Sequence, residues 1–223
     1  MVTGKKFELE FHSEEHKVKE KQQVGYLLEF LESTRNYCVC LVDMVDSTSI
    51  SMQMSNEKIG KYYGVFLNMM ANIISNHDGN VVKNVGDSLL YYFPKTHLDS
   101  TESFRDVLKC AMTMIQKRTE INEILHLEGL PDLSYRISCE YGCVVVAKLS
   151  TSSINDIFGN SINVCSKINS LASPNGVVIG YGLYQKTKSF DEYIYTKIKD
   201  IPSILGKDYQ VYSVFNKTKT SLY

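Results

Sequence analysis

Hydrophobic and polar positions follow two different periods along this chain. Val24, Leu27, Leu28 and Leu31 recur at i, i+3, i+4 and i+7, one apolar stripe of a helix. Ser13 suits its N-cap, and the charged run EEHKVKEKQQ leads into it. Residues 1–35 are therefore expected to form an extended lead-in and then a helix. Such a helix either packs on the domain surface or serves dimerisation or signalling. Residues 37–43 (YCVCLVD) form a short apolar run with β-branched and aromatic content, which predicts a buried strand. From Ser55 or Asn56 the helical period returns, with Ile59, Tyr62, Tyr63, Phe66, Met70, Ile73 and Ile74 on one face, and Gly79 ends it.

A hairpin follows. Val81, Val82 and Val85 precede the turn Asn84-Val85-Gly86-Asp87, Leu89 to Phe93 follow it, and Pro94 closes the second strand. A second long helix is expected from about Asp99–Ser100 to Leu125, with Phe104, Val107, Leu108, Ala111, Met114 and Ile115 inward, before the breaker Gly129-Leu130-Pro131. SYRISCE and CVVVAKL then read as two strands joined at Tyr141-Gly142. After a linker over 150–158, a helix starts near Asn160 and ends at Ser173-Pro174-Asn175-Gly176. Strands at 177–179, 193–198 and 209–215 and a short helix at 183–188 complete the chain. The order β-α-β-β-α-β-β-α-β predicts an α+β fold on the ferredoxin-like βαββαβ plan. That is a palm-type sheet with helices on one face and a C-terminal αβ extension. The expected division is an N-terminal extension over 1–35 and one domain over 36–223.

Length and composition narrow the class. The 223 residues, 43% hydrophobic and 22% charged, suit one well-buried domain. A net charge of −1 gives no global basic field for nucleic acid or an anionic membrane. No apolar run approaches the ~20 residues of a membrane span, and the N-terminus shows no secretory h-region; a cytoplasmic location is expected. Four of the six cysteines lie in strand-like runs, and none forms a CxxC pair. Cys38 and Cys40 share one strand face, where a metal site is conceivable; small buried hydrophobes in a reducing compartment are the simpler reading.

Two carboxylates then acquire interest. Asp43 ends one apolar strand and Asp87 sits at the hairpin turn of another. Strands lie ~4.8 Å apart, so both acids can reach one or two divalent cations shared with a nucleoside triphosphate. The plainer alternatives are a strand-end cap for Asp43 and an ordinary turn residue for Asp87.

Four segments carry a family resemblance: LVDMVDST (41–48), GNVVKNVGDSLLYYFP (79–94), RISCEYGCVVV (136–146) and NDIFGNSINVCSKINSLASPNGVVI (155–179). In that order and spacing, Tyr37 to Phe215 resembles the class III nucleotidyl cyclase catalytic domain of adenylate and guanylate cyclases. The resemblance implies conversion of ATP to 3′,5′-cyclic AMP and pyrophosphate, with two Mg²⁺ or Mn²⁺ ions held at Asp43, Met44 and Asp87. It implies that Met44, Val45, Asp46, Ser47 and Thr48 face the triphosphate, turn amides being able to nest an anion. Lys83 and Asp156 match the pair that recognises the base in adenylate cyclases, a donor and an acceptor for the adenine edge; the same groups could meet guanine. Asn163 matches the ribose-orienting asparagine. Lys167 falls where the family has an arginine, a departure that exchanges a planar fork for a point charge. A phosphate-binding lysine is expected near the last strands, at Lys199 or Lys207. Asp46 and Lys148 stand where glycine is common, and Asp46 suits a cap of the next turn. In this family one active site draws on two chains, so the resemblance implies a homodimer with two-fold-related sites. Alternatives are a weak or inactive nucleotide-binding module, which Lys167 favours, and a guanylate cyclase.

Overall fold

The computed structural model describes residues 28–149, 155–201, 203–206 and 208–217. Strand β1 runs from Leu28 to Met44, followed by the short helix α1 (Ser47–Ser51) and the long helix α2 (Asn56–Asn76). Strands β2 (Asn80–Val85) and β3 (Ser88–Phe93) form a hairpin, a 3-10 turn follows at Pro94–Leu98, and α3 spans Thr101–Leu127. Strands β4 (Tyr135–Leu149) and β5 (Asn155–Phe158) precede α4 (Asn160–Asn169); β6 (Val177–Gly180), α5 (Tyr181–Thr187), β7 (Tyr193–Lys197) and β8 (Val211–Asn216) close the chain. The eight strands among the described residues form one sheet in the order β2-β3-β1-β4-β6-β8-β7, with β5 added on β4. All pairings are antiparallel except β4–β6. The ferredoxin-like α+β plan and its C-terminal αβ extension are borne out.

The long helices begin where local chemistry dictates. Ser55 caps α2 by accepting from the Lys58 amide, and Ser100 caps α3 by accepting from that of Ser103. α2, α3 and α5 cover one face of the sheet, where Phe66, Met70, Phe104, Leu108 and Leu183 pack on Cys40, Val42, Tyr91, Ile137 and Ile179. α4 lies on the other face, with Cys165 against Val39 and Val144 and Ile168 against Val178 and Val211. β1 is apolar on both sides (Cys38, Val39, Cys40 and Val42 are all fully buried), and a strand of that kind demands cover on both.

Four expectations are corrected. The helices are not confined to one face of the sheet, since α4 covers the second. Leu28–Arg35 continues no helix: it is the first half of β1, paired with β4 from Leu28–Leu149 onward. The 3.6-residue stripe loses to a ladder of backbone hydrogen bonds, since propensity is a weak prior against tertiary pairing. Ser13 and Val24, the start of that helix, lie outside the described residues. β4 is one continuous strand, with Tyr141 and Gly142 paired to Cys38 and Tyr37 inside the ladder. Gly142 makes no turn; a Cβ there would come within 2.4 Å of Ser161 Oγ, so glycine admits the start of α4. Finally, part of the expected linker is a strand: 155–158 pairs with Val145–Lys148. Lys148, a departure from the resemblance, stands between Glu29 and Asn155 in those ladders, and an opposite charge across strands is favourable.

Candidate active site

The β2–β3 hairpin turns on Gly86 and Asp87. Gly86 has φ 63, the left-handed value that glycine supplies at the first position of a two-residue hairpin turn. β3 pairs with β1 so that Ser88 stands opposite Asp43, and the main-chain amide of Met44 donates to the Asp87 carbonyl at 3.4 Å. The turn is thereby held against the end of β1, and the two carboxylates converge. Ser88 donates its hydroxyl to Asp43 and Ser47 donates to Asp87. Burial raises the Asp43 pKa; the Asp87 charge raises it further, and the Ser88 hydrogen bond and Arg136 oppose the rise. Two acids pressed together in a partly buried site are what a divalent cation relieves. Among the described residues no three His, Cys, Asp or Glu side chains gather into a site of their own. A cation at Asp43 and Asp87 therefore needs further oxygen ligands, such as substrate phosphates or the Met44 carbonyl.

Arg136 is the residue that motif reading passed over. It faces Asp43 across the β1–β4 ladder, and its Nε is buried with no hydrogen-bond partner among the described residues. The signal was present in RISCEYG, an arginine in an otherwise apolar strand, but its placement opposite Asp43 is a matter of register.

Asp46 sits at φ 56, ψ 22 and makes no side-chain cap to α1, so the expected capping role is not realised. A left-handed position accounts for glycine being common there, and aspartate tolerates it. The amides of Met44 and Val45 are engaged within the fold, with the Asp87 and Ser134 carbonyls. The anion-facing role expected of 44–48 thus narrows to Asp46, Ser47 and Thr48, of which Asp46 and Thr48 are exposed.

A second group of residues gathers beside the hairpin. Lys83 Nζ lies 2.6 Å from Asp156 Oδ2. The Ile157 amide donates to Asp156 Oδ1 at 2.8 Å, which leaves the carboxylate held from two sides and 8% exposed. The Lys83 ammonium is 5.8 Å from the centre of the Phe158 ring. A cleft of about 390 Å³ opens here, lined by Lys83, Ser88, Leu90, Phe158, Ile162 and Asn163 among others. Ser88 joins the two groups, since it lines the cleft and bonds Asp43. Asn163 and Lys167, four residues apart on α4, are both exposed. Lys199 is exposed beyond β7, where no contact with another described residue singles it out, and Lys207 lies outside the described residues. All six cysteines are free and five are buried; burial lifts the Cys38 thiol to about 11, as expected of inert core thiols.

Comparison with known proteins places the fold and the family. The chain is 26% identical over 159 residues to a cytidylate cyclase of Staphylococcus aureus, covering 67% of this chain and 38% of that protein. It is 23% identical over 145 residues to an adenylate cyclase of Streptomyces coelicolor, covering 65% and 32%. The chain thus spans about a third of the length of these curated relatives. The fold matches the adenylyl cyclase CyaB from P. aeruginosa with a TM-score of 0.73 at 18% identity, covering 82% of this chain and 95% of that one. It matches the guanylyl cyclase Cya2 with a TM-score of 0.70 at 19% identity, over 82% and 92%. The model of the adenylate and guanylate cyclase catalytic domain matches residues 30–216, a span that holds both carboxylates, the Lys83–Asp156 pair and α4, and it is to this family that the chain belongs.

Proposed function

We propose that this chain is an adenylate cyclase, forming 3′,5′-cyclic AMP and pyrophosphate from ATP between two copies of itself. The observation that carries the reading is the convergence of Asp43 and Asp87, joined through Ser88 to the cleft that Lys83 and Asn163 line. In the reaction the ribose 3′-hydroxyl gives up its proton to solvent, its oxygen attacks the α-phosphorus, the bond from that phosphorus to the bridging oxygen breaks, and pyrophosphate leaves. Asp43 and Asp87, with the Met44 carbonyl, would hold Mg²⁺ or Mn²⁺, which when bound offsets triphosphate charge and polarises the attacking oxygen. Asn163 orients the ribose. Lys167 supplies positive charge to the reacting phosphate, as a point donor where a fork would hold it better. Arg136, opposite Asp43, lends positive charge that favours the ionised carboxylate a cation needs. The amides of Asp46, Ser47 and Thr48 face the triphosphate.

Lys83 donates to adenine N1 while Asp156 accepts from the 6-amino group. The ammonium has three protons, so it can keep its contact with Asp156 while binding the base. Cytosine presents the same pattern, a ring acceptor beside an amino group. Together with the likeness to a protein named cytidylate cyclase, this makes CTP the second substrate to test. Each chain offers both half-sites, and a two-fold dimer would complete two active sites.

The test is incubation of the purified chain with ATP, CTP, GTP or UTP and Mg²⁺ or Mn²⁺, with cyclic product read by mass spectrometry. Cyclic AMP is the expected main product, absent in Asp43→Ala and Asp87→Ala. Specific activity should fall on dilution, and activity strictly proportional to protein through the dimer dissociation range would refute the shared site. Nucleotide binding without turnover would make the chain a regulatory module; a cyclic CMP or GMP majority would reassign the base.

A further inference from the structure

Helix α4 rests on the sheet through two kinds of contact. Ile168 packs among Ala172, Val178 and Val211, and Cys165 among Val39 and Val144. Such contact is non-directional and leaves a helix free to slide or roll by fractions of an ångström. The directional contacts come from a buried polar seam. Asn169 is 4% exposed. Its Nδ2 donates to Ser138 Oγ at 3.2 Å, and to the Leu41 and Arg136 carbonyls at 3.4 Å each. One turn earlier, Cys165 Sγ donates to the Val39 carbonyl at 3.4 Å and the Ser138 carbonyl at 3.3 Å. The exposed side of the same two turns carries Asn163 and Lys167. Leu41 lies two residues before Asp43, and Arg136 stands opposite it.

We infer that Asn169 is a positioning residue for the cyclisation: its amide pins α4 to β1 and β4 at one height and rotation, and so aims Asn163 and Lys167. The inference rests on the roles proposed above for those two residues. The donor count supports it. One NH₂ group shares its two protons among three acceptors that belong to two strands, so a slide or roll of the helix lengthens at least one of these contacts. A buried polar group restricts packing in this way because any other placement leaves it unsatisfied. The amide also ties α4 to the strand end that carries Asp43, so both contributions of the chain to catalysis share one frame. An aligned donor matters more here than in the ground state, since a shift of about 1 Å can cost ~10²-fold in rate.

The test is Asn169→Leu in the full chain. Leucine keeps the branched skeleton at a larger volume and removes the donors, and the two carbonyls remain in the β1–β4 ladder, so no buried donor is stranded. The expected result is a fall in kcat of about tenfold or more with KM for the nucleotide little changed, because Lys83 and Asp156 on β2 and β5 keep the base. Asn169→Ala, which leaves space instead of bulk, should show the same split. Ile121→Val, in the opposite layer, is the stability control and should lower Tm without lowering kcat. Folded Asn169→Leu or Asn169→Ala with wild-type kcat overturns the inference, as does a fall in kcat that Ile121→Val reproduces. A wild-type chain that cyclises no nucleotide overturns the proposed function itself, and is told apart because it fails before any variant is made.

Discussion

The two faces of the sheet are made by the same strands and are chemically unlike. Beneath α2 and α3 the strands present Cys38, Cys40, Val42, Tyr91 and Ile137 to Phe66, Met70, Phe104 and Leu108, a layer of fully or nearly fully buried side chains. Beneath α4 the alternate residues of β4 are Arg136, Ser138 and Glu140, and a ten-residue helix leaves a cleft uncovered beside it. A strand alternates its side chains with period two, so one stretch, RISCE, serves packing through Ile137 and Cys139 and polar contacts through its neighbours. The lesson is a division of labour. The face with two long helices supplies cohesion, and the under-covered face keeps polar groups, whose desolvation costs stability, where chemistry needs them.

The contrast can be broken from either side. The largest expected effect lies on the dry face, where Phe66→Ala should cost about 3–5 kcal/mol of unfolding free energy in urea. Its activity per folded molecule should stay near wild type; a matching collapse of kcat would mean the faces are not separable. On the polar face the order reverses. Asp43→Asn keeps an acceptor for Ser88 and should lower cyclic nucleotide formation by at least ~10²–10³-fold. Its Tm should hold or rise, because the change removes a carboxyl strained by burial and by Asp87.

Glu140 gives a third test. It lies buried under the C-terminal segment, accepting from Tyr209 at 2.6 Å and from the Gly182 amide at 3.2 Å. Burial outweighs those bonds and pushes its pKa up from 4.5 to about 7. Between these values the folded chain holds a proton that the unfolded chain has released. The contribution to stability is therefore full below pH 4.5 and is lost as pH rises through about 7. The loss should be on the order of 1–3 kcal/mol, and Glu140→Gln should flatten it in urea titrations at several pH values. A wild-type slope that survives in Glu140→Gln would assign the effect elsewhere. The smallest change is Lys167→Arg, expected to raise kcat by roughly threefold to tenfold by supplying a bidentate donor; a lower kcat would show that this site is built around lysine.

Much of this molecule could be read along the chain because the relevant signals are local. The serine caps at Ser55 and Ser100, the 3.6-residue stripes of α2 and α3 and the glycine at the hairpin depend on neighbours a few positions away, so element type and order came through. Asp43, Lys83, Asp87, Asp156 and Asn163 could be singled out because they sit in contiguous motifs with distinctive spacing. Contacts between distant segments were hidden. Leu28–Arg35 carries a helical stripe and becomes strand because β4 offers it a ladder. Tyr141-Gly142 reads as a turn and is straight because it pairs with Cys38 and Tyr37 of β1. Arg136 gains its interest from register opposite Asp43, and Asn169 from three acceptors on β1 and β4. Local steric and capping energies are written into adjacent residues, whereas ladder pairing and the satisfaction of buried polar groups exist only once the chain has closed on itself.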